Sequence, residues 1–194
     1  MSGPDEPPTT ALPPGVRPPE RAEFDGFGLR RPTPADDEAL NEMVKATFDE
    51  LHPWMPWAAE PVRIEDQRAW IERALTNWVE QEAFHWFIVE SQDGVEKLIG
   101  VISLMNRIGP GGLEIGYWLR TGATGRGVMT RAAAWLTNTA LALPGIERVE
   151  IHCDAANVRS AAVPRRLGYR LDRQEAAEPQ APGDSGLDQF WITP

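Results

Sequence analysis

The sequence predicts a mixed α/β domain in which helices flank a single sheet, and three observations carry this expectation. Residues 114–143 read as strand, glycine loop and helix, and residues 146–169 repeat strand then helix on a smaller scale. Ahead of them, residues 85–90 and 98–104 are short apolar runs on either side of Ser91-Gln92-Asp93-Gly94, a hairpin turn signal. Earlier still, two segments repeat their apolar residues at helical spacing.

Taken in order, residues 1–22 hold Pro4, Pro7, Pro8, Pro13, Pro14, Pro18 and Pro19 and no periodic apolar pattern. That composition predicts a disordered or extended tail, followed by one domain over 23–194. Residues 24–32 predict the first strand. Thr33 can cap a helix that has Pro34 in its first position and acids in its first turn. Leu40, Met43, Val44, Phe48 and Leu51 give that helix a buried face.

The loop His52-Pro53-Trp54-Met55-Pro56-Trp57 follows. Its aromatic side chains either seal the core or wall a pocket. Residues 63–81 predict a second helix through Ile64, Trp70, Ile71, Ala74 and Trp78. After the hairpin, Ile115, Tyr117 and Leu119 alternate along a strand that ends near Arg120. A helix runs from Val128 until Pro144-Gly145 stops it. Residues 146–153 predict a strand, 154–169 a short helix closed by glycine, and two strands finish the chain around a polar loop at 179–186. The expected order is strand, two helices, three strands, helix, strand, helix, two strands.

Gly122, Gly125 and Gly127 precede the helix that starts at Val128. A helix N-terminus leaves N–H groups unpaired and carries partial positive charge. Glycines before it let a ligand approach the backbone closely. Together these features suit a phosphate or pyrophosphate. The loop is neither a Walker motif nor a dinucleotide fingerprint.

With 19 basic and 29 acidic residues the formal net charge is −10, which argues against nucleic-acid binding by bulk electrostatics. An acidic surface favours a cationic amine or basic peptide as substrate, and it also simply keeps a protein soluble. No apolar run approaches a membrane span, and the acid- and proline-bearing start does not read as a signal peptide. The single cysteine, Cys153, forbids an internal disulfide and fits a reducing cytoplasm. His52, His85 and His152 stand apart, with no metal-ligand spacing. A homodimer is compatible with these residues, and nothing in them requires one.

Gly125-x-Gly127 and Asn157-x-x-Ser160, the latter ending in Arg166-Leu-Gly-Tyr169, resemble the GNAT superfamily of acyl-CoA N-acyltransferases. The likeness extends in order and spacing from about Phe24 to the end, and is nearest to the ribosomal-protein serine/alanine N-acetyltransferase branch. It implies a mixed, mostly antiparallel sheet, splayed at the acyl-CoA site and flanked by helices. It further implies acetyl-CoA or a related acyl-CoA as cosubstrate, no metal, and direct attack by a primary amine in a ternary complex. The amine is a protein N-terminus, a lysine or a small molecule, and the donor is acetyl- or succinyl-CoA. A non-catalytic acyl-CoA-binding sensor would keep the same cradle.

By this resemblance the donor lies against Gly116, Tyr117, Trp118, Arg120, Gly122, Thr124, Gly125, Arg126, Gly127, Val128, Met129, Asn157 and Ser160. Trp54, Met55, Trp57 and Glu114 border the acceptor. Several of these residues have plainer readings. Gly116 either lends a free N–H to the thioester carbonyl, with Tyr117, or eases packing. Glu114 is either the base that relays the amine proton through water or an ion-pair partner that orients Arg120 or Arg126; Glu175 is a second candidate base. Arg120 and Arg126 pair with phosphates or stay solvated. Asn157 caps its helix, contacts the donor, or does both.

Many family members place a tyrosine four residues after Ser160 to protonate the departing thiolate, and this chain has Pro164 there. Ser160 is left to hydrogen-bond the thiolate, or only to cap or pack. Pro164 cannot donate an N–H to the carbonyl of Ser160, so the helix should bend or open beside it. Gly122 stands where the family usually has Gln or Arg, which removes a side-chain contact while keeping the backbone cradle. Cys153 reads as a small core residue, and a covalent acyl-cysteine route is rejected.

Overall fold

A computed structural model describes residues 12–92 and 95–193. The strands are β1 Arg21–Phe24, β2 Phe27–Arg30, β3 Ala83–Gln92, β4 Val95–Met105, β5 Gly112–Leu119, β6 Arg148–Asp154, β7 Arg170–Ala176 and β8 Leu187–Ile192. The helices are α1 Asp37–Lys45, α2 Phe48–Leu51, α3 Ile64–Glu80, α4 Val128–Leu141 and α5 Val158–Arg166. All eight strands form one sheet in the order β1-β2-β3-β4-β5-β6-β8-β7. Only β5 and β6 run parallel.

The expected first strand is a hairpin instead. Asp25-Gly26 turns the chain between β1 and β2, with Gly26 at φ +86°, a conformation that glycine adopts without a steric penalty. The expected first helix is also divided. A short 3-10 turn at Pro34–Asp36 leads into α1, and α2 follows after a break. Asp36 closes the entry by accepting from the Thr33 N–H at 2.7 Å, and Arg30 pairs with it at 2.6 Å. The hairpin signal at Asp93-Gly94 lies outside the described residues.

The tail expectation needs correction from Leu12 onward; residues 1–11 lie outside the described residues. Leu12 is buried in the core and Gly15 N–H donates to Gln81 Oε1 at 2.8 Å. Gln81 Nε2 donates back to the carbonyls of Pro13 and Val16, and the Trp86 indole N–H reaches that of Pro19. These contacts fix a proline-rich segment that has few backbone donors of its own, so no periodic apolar pattern was needed to hold it.

The core lies on both faces of the sheet. Leu40, Met43 and Val44 of α1 and Ile71 of α3 meet Phe87, Val89 and Val101 on one face. Ala132, Ala133, Leu136 and Ala140 of α4 meet Trp86, Ile88, Ile102, Leu113 and Ile115 on the other. This alternation along β3 is the period-two pattern of a strand buried on both sides.

Candidate functional site

The parallel pair at the middle of the sheet comes apart. Residues Gly112, Leu113 and Glu114 pair with β6, and beyond them β5 has β4 as its partner while β6 turns to β8. The Arg120 N–H bonds the Ile99 carbonyl at 2.8 Å, which sets the alternation along β5. Even-numbered residues direct their N–H groups to β4. Tyr117 and Leu119 direct theirs to the gap. Gly116 is thereby corrected as a gap donor: its N–H belongs to the β4 side. A Cβ there would stand 2.8 Å from Met105 Cε, the far end of a flexible side chain, so glycine spares Met105 a shift.

Two clefts meet at this gap. The first, about 870 Å³, runs along Thr121, Thr124, Gly125, Gly127 and the first turn of α4, then past Val158 and Arg159 of α5. Gly125 and Gly127 both have φ +74°, and a Cβ on either would meet nothing within 4 Å, so the space before the helix amides is open. Val128 and Met129 line this cleft. Arg120, Gly122 and Arg126 are not among its lining residues, and Arg126 is paired with Glu90. Arg131, Arg159 and Arg166 line it instead.

The second cleft, about 620 Å³, is walled by Trp54, Met55, Trp57 and Trp70 and floored by His85, Glu114, Gly116 and His152. Trp57 stands 6.0 Å from Trp118, ring centre to ring centre. The aromatic loop is therefore a pocket wall. His52 Nδ1 and the Ala58 carbonyl, 2.9 Å apart, hold it closed, and Gly183 N–H of the 179–186 loop donates to the Pro53 carbonyl at 2.7 Å.

Tyr117, Trp118, Asn157 and Ser160 line both clefts, as do Trp54 and Met55. Asn157 Oδ1 accepts from the Ser160 N–H at 3.0 Å, an N-cap. Pro164 sits inside α5, which runs on without interruption. The helix does not open as expected because the Tyr117 hydroxyl donates to the Ser160 carbonyl at 2.9 Å. Ser160 Oγ lies 3.4 Å from the same phenol oxygen. A tyrosine thus does stand beside Ser160, supplied by the strand rather than the helix. Burial raises its pKa, so the phenol stays protonated.

Glu114 is buried and accepts from Arg107 twice, at 2.6 and 2.7 Å. Its ion-pair partner is neither Arg120 nor Arg126. Arg107 precedes β5 on the hairpin loop, and its pairing had no sequence signal beyond a basic residue seven positions away. Glu175 is exposed and pairs with Arg173 at 2.6 Å, outside both clefts. His85 and His152 were missed as site residues because isolated histidines carry no spacing. Burial pushes the Cys153 thiol up to about 11, which removes the thiolate that a covalent route needs. Among the described residues no cluster of metal-ligating side chains occurs, and no helix is long and apolar enough to cross a membrane.

Burial lowers the His85 pKa from 6.5 to about 4, and its Nδ1 lies 2.7 Å from Ser103 Oγ. The folded ring stays neutral while the unfolded one takes up a proton below its ordinary pKa. Its stabilising contribution is therefore complete above 6.5 and lost as pH falls towards 4. Over that window wild type should lose on the order of 3 kcal/mol more than His85→Gln, read from urea midpoints.

The family model described as an acetyltransferase (GNAT) domain matches residues 27–170. A putative ribosomal N-acetyltransferase of Bacillus subtilis (strain 168), YdaF, is 30% identical over 153 residues, covering 73% of this chain and 76% of its own. The structure of the microcin C7 self-immunity acetyltransferase MccE, in complex with acetyl-CoA and AMP, superposes with a TM-score of 0.80 at 24% identity, over 88% of this chain and 93% of that one. The ribosomal L7/L12 alpha-N-protein acetyltransferase RimL, in complex with coenzyme A, gives 0.78 at 23% identity, over 88% and 94%.

Proposed function

The chain belongs to the GNAT acetyltransferase family and is an acyl-CoA-dependent N-acyltransferase, and from that premise we propose that it acetylates the α-amine of a protein chain in a direct ternary complex. The observation that carries this reading is the shared neck of the two clefts. Donor and acceptor take separate clefts that meet beside Tyr117, Trp118, Asn157 and Ser160, with Trp54 and Met55 at the same junction.

In this reading the α4 amides and the Gly125 and Gly127 backbone hold the pyrophosphate of acetyl-CoA. Asn157 and α5 guide the pantetheine arm to the neck. The Tyr117 N–H, directed to the gap, polarises the thioester carbonyl. The amine comes past Trp54, Met55, Trp57 and Trp70, and Glu114 attracts it as an ammonium. The Ser160 hydroxyl, which donates to the Tyr117 phenol oxygen across 3.4 Å, turns its hydrogen to the departing thiolate. Holding both reactants in attack geometry is the larger part of what such a site supplies. Protein N-termini are proposed because RimL is named a ribosomal L7/L12 alpha-N-protein acetyltransferase and YdaF a putative ribosomal N-acetyltransferase. A cytoplasmic setting fits an acyl-CoA donor and the unpaired Cys153.

Calorimetry with acetyl-CoA, succinyl-CoA and free CoA, then thiol release with Ser- and Ala-initiated hexapeptides and a panel of small amines, tests the proposal. Micromolar binding of acetyl-CoA and release that depends on the peptide are expected. Binding without release on any acceptor is the behaviour of a sensor module and would reject the proposal.

A further inference from the structure

We infer that His152 is the group that takes the proton from the acceptor's ammonium, an assignment that rests on the transferase reading above. His152 Nε2 lies 2.7 Å from Glu150 Oε2. A carboxylate only accepts, so this ring nitrogen carries a hydrogen and donates it. The lone pair of the neutral ring is then at Nδ1, 3.5 Å from Glu114 Oε2. Two acceptors face each other there, on the floor of the acceptor cleft. A donor belongs between them, and an entering ammonium meets the charge of Glu114 and the lone pair of His152 together.

Glu114 is the poorer acceptor of that proton because Arg107 already occupies both its oxygens. Glu150 divides its oxygens differently. Oε1 accepts from Arg148 at 2.9 Å and Oε2 is left for the ring. Burial acts to raise its pKa, but Arg148 and His152 outweigh that and hold the carboxyl below its usual range. Phe190 packs against the imidazole at 4.5 Å between centres, its ring tilted by 60°. The charged groups around the ring are Glu114 on β5 with Arg107 before it, Glu150 and Arg148 on its own strand, and Asp188 on β8. Arg173 of β7 lies over the Phe190 ring, 3.8 Å from its centre.

The ammonium gives one proton to Nδ1, and the imidazolium later releases it to water. The freed lone pair attacks the thioester carbon, the C–N bond forms and the C–S bond breaks. The second proton leaves nitrogen as the amide forms and ends on the coenzyme thiol. The third stays on the amide.

His152→Asn and Glu150→Gln test this, with acetyl-CoA and a Ser-initiated hexapeptide from about pH 6 to about pH 9, a range that spans the ordinary α-amine pKa. His152→Asn should lower kcat/KM for the peptide ~100-fold at about pH 7, the scale of a lost general base. The deficit should shrink towards the alkaline end, where the peptide amine is already free, while acetyl-CoA affinity stays unchanged. Glu150→Gln, which keeps an oxygen for the ring N–H but removes the charge, should show the same trend at smaller size, and it decides the matter if His152→Asn does not fold by circular dichroism. Activity within threefold of wild type in both variants would overturn the assignment, as would a loss that does not change with pH. Absence of acetyl-CoA binding in wild type would instead overturn the transferase reading, and this inference with it.

Discussion

Gly127→Val should weaken acetyl-CoA binding by ~100-fold or more, an effect of the scale expected when a preorganised anion cradle is lost. Gly127 caps α4 at φ +74°, a left-handed conformation that valine resists by about 1–2 kcal/mol. Relaxing that strain would turn the first α4 amides away from the ligand. The open space beside the glycine, where an added Cβ meets nothing within 4 Å, would also be taken by the isopropyl group. Gly145 is the control. It has φ +82° at the other end of α4, away from both clefts. Gly145→Val should cost similar stability and leave the donor affinity alone. Calorimetry on both variants separates the two effects, and an unchanged donor affinity in Gly127→Val would remove the cradle from the account.

Trp86→Ala should give the largest loss of stability, about 3–5 kcal/mol. The indole is fully buried, edge-on to Trp78 at 5.0 Å and to Trp135 at 6.0 Å. It joins α3, β3 and α4, and its N–H holds Pro19 at 3.1 Å. At roughly 2–4 °C per kcal/mol for a chain of this size, Tm should fall by roughly 6–20 °C. Protection of residues 12–19 in hydrogen exchange should fall with it. A loss below about 1 kcal/mol would mean that Trp78 and Trp135 close the cavity between them.

The local periodicities read well. The alternation of Ile115, Tyr117 and Leu119, the glycine break and the α4 pattern all stand where the residues placed them. The Asp25-Gly26 dipeptide is itself a hairpin signal, and it divides the expected first strand. Residue contacts across the fold were not legible. Tyr117 and Ser160 are 43 positions apart, and only the parting of β5 from β6 brings the phenol to the carbonyl that Pro164 leaves unpaired. Arg107, His85 and His152 likewise gain meaning only from neighbours on adjacent strands. Sequence spacing reports one element at a time, whereas this site is made between elements.

The docking of residues 12–19 bears on how the chain is made. Their partners, Trp78, Gln81 and Trp86, lie some 65 positions further on. At about 5–20 residues per second, a ribosome leaves the segment without them for roughly 3–13 s. Pro13, Pro14, Pro18 and Pro19 suit it to that interval. They keep it extended and remove backbone donors that would otherwise pair with other nascent strands. The composition that suggests a loose end thus describes a segment that must wait for its seat.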